Sequence, residues 1–159
     1  MPAKPEAYGA IEAAASPAFS RDGGTLFYLR GSSLPQIWAL DLATGQDRAL
    51  TDHDETIAFI RRAPGDDRLI YGIDAGGDER QQLWLYDSHT ARPLTADPAV
   101  IHDFGAWSPD GTHIAYAAND RDEAHFDVMV RPLAGEGAAQ RFHEGTNQLA
   151  VAGYSPDGR

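Results

Sequence analysis

Apolar and polar residues alternate along this chain in short bursts, each closed by a tight turn. In the stretch from 103 to 143, Ile114, Tyr116 and Ala118 stand two apart, the spacing of a strand with one packed face. The pattern predicts four strands there: Asp103 to Trp107, Thr112 to Ala118, Asp127 to Leu133 and Ala139 to His143. Ser108-Pro109-Asp110-Gly111 joins the first two: proline presets φ, Asp tolerates the bend and Gly supplies a positive φ.

The same elements recur. Ser20-Arg21-Asp22-Gly23, Ala63-Pro64-Gly65-Asp66, Ser108-Pro109-Asp110-Gly111 and Ser155-Pro156-Asp157-Gly158 begin 43, 45 and 47 residues apart. Eight residues after each of the first three beginnings stands a tyrosine: Tyr28, Tyr71 and Tyr116. Ile37-Trp38, Leu83-Trp84 and Val128-Met129 follow in phase, then Asp41-Leu42, Asp87-Ser88 and Pro132-Leu133, then Leu50-Thr51, Leu94-Thr95 and Phe142-His143. A period of this length filled with strands predicts an all-β fold, a partial β-propeller of about three four-stranded antiparallel blades plus the start of a fourth.

The expected division is a lead-in over 1–15, blades over 16–51, 55–95 and 99–145, and the start of the next blade over 147–159. Tyr28, Trp38, Tyr71, Trp84 and Tyr116 are expected to be largely buried between blades, with stacking of a ligand on the two tryptophans as the lesser alternative. Met129 takes the tryptophan position of the third repeat, where an adaptable side chain can fill the same contact. Pro64-Gly65-Asp66-Asp67 has its glycine one place early and should form a different turn. Three blades fall short of the four to eight that close a ring, so the chain reads as a piece of a larger protein. As an open arc it is expected to unfold with poor cooperativity or to self-associate.

Charge and chemistry narrow the function. The formal net charge is −11 and Lys4 is the sole lysine, which argues against a nucleic-acid backbone as partner and against Schiff-base chemistry. There is no cysteine, hence no disulfide or thiol chemistry. Neither a signal-peptide pattern nor an apolar stretch long enough for a bilayer is present, so no membrane partner is expected and the localisation reads as cytoplasmic. Gly31-Ser32-Ser33-Leu34-Pro35 fails as a nucleophile elbow at its last position. The six histidines show no metal-ligand spacing, and Gly76-Gly77 runs into Asp78-Glu79, which would repel a phosphate. The Asp-Gly turns lack the spaced oxygen ligands of a calcium loop. No catalytic residue, metal site or cofactor is expected within this span.

The turns Ser-Pro-Asp-Gly, the Ile-Ala-Tyr strand and the aromatic strand ending in Asp-Leu resemble the blades of the prolyl oligopeptidase family of serine peptidases and of the Tol-system propeller. Asp74-Ala75-Gly76-Gly77-Asp78-Glu79-Arg80-Gln81-Gln82-Leu83-Trp84 and Asn119-Asp120-Arg121-Asp122 with Phe126-Asp127-Val128 resemble the N-terminal propellers of the peptidases, acylaminoacyl-peptidase and dipeptidyl-peptidase among them. The resemblance covers about Ser16 to Gly158. It implies a parent enzyme that hydrolyses short peptides. This propeller would gate access to an α/β-hydrolase domain, which together with the remaining blades lies outside this chain. The alternative implied is a non-catalytic propeller that binds protein partners; a sugar-processing or lactonase propeller is a more distant third. Proline specificity does not follow from the resemblance.

Propeller geometry would gather the loops between second and third strands, and those between blades, on one side. Across 52–56, 74–81, 96–103, 119–126 and 144–148 stand twelve acids against Arg80 and Arg121, a net of −10. Such a field could attract a peptide's ammonium terminus or a basic partner, and a solvated soluble face is the plainer alternative. The candidate contacts to substrate or partner are Asp78, Glu79, Arg80, Arg121, Asp122 and Glu123.

Overall fold

The computed structural model describes residues 12–135 and 137–158, and in them the chain forms strands and no helix. The first sheet is β1 (Ala13–Phe19), β2 (Thr25–Gly31), β3 (Gln36–Asp41) and β4 (Asp47–Ala49). The second is β5 (Ile57–Arg62), β6 (Leu69–Ile73), β7 (Gln82–Tyr86) and β8 (Ala91–Pro93). The third is β9 (His102–Trp107), β10 (His113–Asp122), β11 (His125–Pro132) and β12 (Gln140–His143). Within each sheet the strands lie side by side in chain order, every pair antiparallel. These are three blades of a β-propeller. β1 begins at Ala13, three residues ahead of the expected first blade, while the rest of the expected lead-in, 1–11, lies outside the described residues.

The repeated turn is held by its own side chains. Ser108 Oγ donates to Asp110 at 2.6 Å and accepts the His113 amide at 2.9 Å, while Asp110 accepts the Thr112 amide at 3.0 Å. Ser20 and Asp22 make the same contacts at 2.7, 2.9 and 2.9 Å with each other, Thr25 and Gly24. Gly23, Gly111 and Gly158 take φ of 74°, 69° and 80°, the left-handed region that favours glycine. The second turn is built differently. Gly65 has no positive φ, Ala63 brings no hydroxyl, and Asp66 instead holds the Arg68 amide and guanidinium at about the same 3.0 Å.

The two-residue period then divides every blade into two faces. In β6, Leu69, Tyr71 and Ile73 turn toward the first sheet, where they join Phe27, Leu29, Ile37, Ala39, Ile57 and Ile60 in one core. Ile70 between them turns the other way, with Leu83 and Leu85 of β7, to meet Ile114, Tyr116, Ala118 and Met129 of the third sheet. β6 is therefore buried at all five positions and reads as a continuous apolar run. Trp107 Nε1 donates to the Arg61 carbonyl at 3.1 Å, and Arg68 donates to the Gly111 carbonyl at 2.8 Å, tying the second and third sheets at their edges.

This division corrects one expectation. Tyr71 and Tyr116 are buried, at 0% and 3% exposure, but Tyr28, Trp38 and Trp84 are only half-buried, Trp84 with part of its ring against the first core. The landmark aromatics all point toward the preceding blade. Among the described residues no blade lies against that face of the first sheet; there Tyr28 donates to Asp47 at 3.0 Å and Trp38 lies under the Arg30 guanidinium at 4.6 Å.

A second correction falls at 147–158, where no strand forms. In each blade the first strand is laddered to the one that follows its turn. The stretch nevertheless lies where a first strand belongs: Val151 sits against Gly105 of β9 so closely that a Cβ on that glycine would overlap it.

Candidate functional site

The loops between second and third strands and the connectors between blades meet at one end of the sheets. Thr51 of the first Leu-Thr landmark accepts the Ile37 amide at 2.9 Å, and Thr95 of the second accepts the Leu83 amide at 2.8 Å. The landmark thus fastens the end of each of the first two blades to its third strand. From there the connector crosses to the next blade under a second restraint, supplied by the residue two before Trp38, Trp84 and Met129.

That residue is Gln36, Gln82 or Asp127. Gln36 donates to the carbonyls of His53 and Glu55 at 3.1 Å and accepts the His53 amide at 2.8 Å. Gln82 donates to the carbonyls of Asp97 at 2.8 Å and Val100 at 3.0 Å. Asp127 accepts the Gly145 amide at 2.9 Å. Each is a clamp on the connector. Buried connector backbone without such partners would forfeit its hydrogen bonds, which explains why a polar group stands inside an otherwise apolar strand.

The third clamp is ionic. Asp127 is fully buried and takes two hydrogen bonds from Arg121, at 3.0 and 3.1 Å, and an ion pair with Arg141 Nε at 2.9 Å. The Arg121 guanidinium, first, and the Gly145 amide and Arg141 charge after it hold the Asp127 carboxyl below its usual range against the opposing effect of burial. Arg121 also donates to the Gly145 carbonyl at 2.6 Å.

Two histidines stand under the same end. His53 Nε2 shares a hydrogen with the buried Tyr71 hydroxyl at 2.9 Å and meets the Trp84 ring edge-on at 4.9 Å between centroids. His102, buried beneath Tyr116, has its ring 5.8 Å from the tyrosine ring, and its Nδ1 has no partner among the described residues. Burial lowers the proton affinity of both.

The six candidate contact residues all lie at this end, in two separate loops. Asp78, Glu79 and Arg80 occupy the exposed loop between β6 and β7. Gly76, Gly77 and Glu79 there take φ of 61°, 79° and 62°, so the loop winds left-handed and carries Glu79 outward on a backbone unusual for a non-glycine residue. Asp78 accepts the Arg80 amide at 2.9 Å. Arg121, Asp122 and Glu123 belong to the tip of the β10–β11 hairpin. Asp122 closes that tip by accepting the Ala124 amide at 3.0 Å, the His125 amide at 3.1 Å and a bond with the His125 ring at 2.7 Å, which first among causes lowers its pKa. Among the described residues no partner holds the side chains of Glu79, Arg80 or Glu123. Arg121 and Asp122 are committed to the fold, whereas these three face solvent. No cluster of three or more His, Asp or Glu among the described residues could hold a metal ion.

No family model matches the chain, and no curated protein matches it. Solved structures do. A TolB-assigned protein from Agrobacterium tumefaciens superposes with a TM-score of 0.63 at 19% identity, over 92% of this chain and 56% of its own. TolB from Acinetobacter baumannii gives 0.60 at 18% identity, over 92% and 36%. A prolyl endopeptidase gives 0.69 at 16% identity, over 96% and 27%. The chain thus spans about half or less of the structures it resembles. At these identities the likeness defines the fold: this is a β-propeller domain segment of three four-stranded blades.

Proposed function

We infer that this chain is part of the propeller that limits substrate access in a serine oligopeptidase, its connector end turned toward peptides entering the enzyme. The observation that supports this reading is the outward-facing acidic loop at 74–81. There Glu79 stands unpaired on a left-handed backbone, within a blade sequence resembling the peptidase propellers. An unpaired carboxylate on an exposed loop can engage a peptide's ammonium group at the rim of a channel too narrow for folded proteins. Its effect falls mainly on the rate of encounter and is screened beyond about 8 Å in physiological salt.

The test uses the longest natural gene product containing this sequence. It should hydrolyse short peptides and be labelled by a serine-reactive fluorophosphonate, while the 159-residue chain alone takes no label. Glu79→Gln with Glu123→Gln should raise the apparent KM at low salt and leave it unchanged at high salt. Labelling of the 159-residue chain, or an inert full-length product, refutes the reading. The likeness to the two TolB structures favours a second one, a propeller that binds protein partners, and an inert full-length product would leave that reading in place.

A further inference from the structure

The second blade departs from the repeat at three positions that fit together. Across β5 and β6, Arg61 pairs with Ile70 and Phe59 with Gly72, the residues on either side of the landmark Tyr71. At the register of Arg61 the other two blades carry Ala18 and Ala106, and at the register of Phe59 they carry Ala15 and Asp103. Gly72 stands where they have Leu29 and Ala117. A Cβ on Gly72 would overlap the Phe59 ring and the Gln81 side chain, so the missing side chain is the room that the ring occupies. The ring in turn carries the Arg61 guanidinium, 5.3 Å from its centroid, and meets Phe104 of the next blade at 5.9 Å. Glycine, ring and guanidinium form one stack that neither of the other blades repeats.

The stack lies on the inner wall. β1 touches β5, and β5 meets β9 through the Phe59 and Phe104 rings and the bond from Trp107 to the Arg61 carbonyl, whereas β4, β8 and β12 make their close contacts within their own sheets. First strands converge and fourth strands diverge, which places β5 beside the central channel of a propeller. Arg61 is exposed there. Its Nη1 donates to the Ile60 carbonyl at 2.9 Å, and among the described residues no carboxylate pairs with it, whereas Arg30, Arg68, Arg121 and Arg141 each have one. The Nε–Nη2 edge is left for a planar anion, which a carboxylate fits with two parallel hydrogen bonds.

We propose that Arg61 binds the C-terminal carboxylate of a short peptide in the channel, with the half-buried rings of Phe59 and Phe104 against the apolar side chain next to it. β5 enters from the acidic connector end, and Arg61 lies four residues, about 13 Å, further along it than Ile57. Acid at the mouth and a guanidinium farther in match the two charges of a zwitterionic peptide. A peptide whose C-terminus is amidated brings no charge to Arg61. The inference rests on the oligopeptidase reading for the ligand being a peptide, and on the stack itself for its being a carboxylate.

The test pairs an acid with its amide on the longest natural gene product containing this sequence. In ligand-observed saturation-transfer NMR, N-acetylphenylalanine should bind about tenfold tighter than N-acetylphenylalaninamide, the margin of a charge-assisted hydrogen bond. Arg61→Gln should erase that margin, and Arg61→Lys, which keeps the charge without the fork, should recover part of it. In hydrolysis, a peptide with a free carboxyl terminus should show an apparent KM about tenfold below that of its C-terminal amide, and Arg61→Gln should bring the two together. Equal binding of acid and amide by the wild type, or a margin that survives in Arg61→Gln, overturns the proposal. An inert product that keeps the binding margin, and loses it in Arg61→Gln, refutes the peptidase reading and leaves the carboxylate site in place. A product that hydrolyses acid and amide alike and binds the two probes equally keeps the peptidase reading and overturns the site.

Discussion

Tyr71 is the position at which the junction between the first two blades can be taken apart one contribution at a time. Its side chain is fully buried, its ring stacks on Trp84 at 6.2 Å, and its hydroxyl meets His53 at 2.9 Å. Tyr71→Phe keeps the ring and removes one hydrogen bond, whose net worth is about 1 kcal/mol because half-buried His53 can turn to water. In a domain of this length that is a fall of about 3 °C in Tm. Tyr71→Ala removes the ring as well. Loss of a buried aromatic costs about 3–5 kcal/mol, and the stacking adds about 1 kcal/mol beyond burial. The sum approaches the whole stability of an ordinary domain, about 5–15 kcal/mol. Thermal melts followed by circular dichroism at pH 7.5 should rank wild type, Phe and Ala in that order with a much larger second step. If the Phe variant is as damaged as the Ala variant, the hydroxyl and not the ring organises the junction, and the reasoning fails.

Burial lowers the pKa of His53 and His102 below the ordinary histidine value, so the unfolded chain binds more protons than the folded one and stability falls as pH drops through about 6.5. Melts at pH 7.5 and 5.5 should show this loss, and His53→Gln with His102→Gln should flatten it. Asp110, held down to about 2 by Ser108 and then Thr112, keeps its charge over that range, so its turn adds nothing to the slope. Gly105→Ala should drive 148–154 off β9, read as faster proteolysis within 148–158 with the three sheets intact. Gly111→Ala forces an alanine to φ 69° and should cost more than about 1 kcal/mol in a chemical-denaturation midpoint measurement.

The strands were legible because both signals that mark them are local: alternation every two residues, and turns whose side chains satisfy their own backbone. The burial of Tyr28 was not, because it depends on what lies across the sheet. Identical register positions are buried in one blade and half-buried in another. The acidic loops were visible as composition, but composition does not tell a carboxylate that closes a hairpin, as Asp122 does, from one that faces solvent, as Glu79 does. The clamp was missed although its signal is regular: Gln36, Gln82 and Asp127 each stand two residues before a landmark. Their identities differ, and only the shared connector carbonyls and amides they hold reveal one role.

β6 has a consequence for how such a chain changes over generations. Ile70 and Tyr71 are neighbours in sequence yet belong to different cores, so substitutions at adjacent codons are judged by different sets of partners. A blade is thus half of one core and half of the next, with the halves in fixed order. It can be copied in tandem without redesign, since each copy arrives with both halves in place, but it cannot be inverted or shuffled. Lengthening by whole repeats is then the accessible route to a larger ring, and insertion of anything shorter than a repeat is accommodated only in the loops.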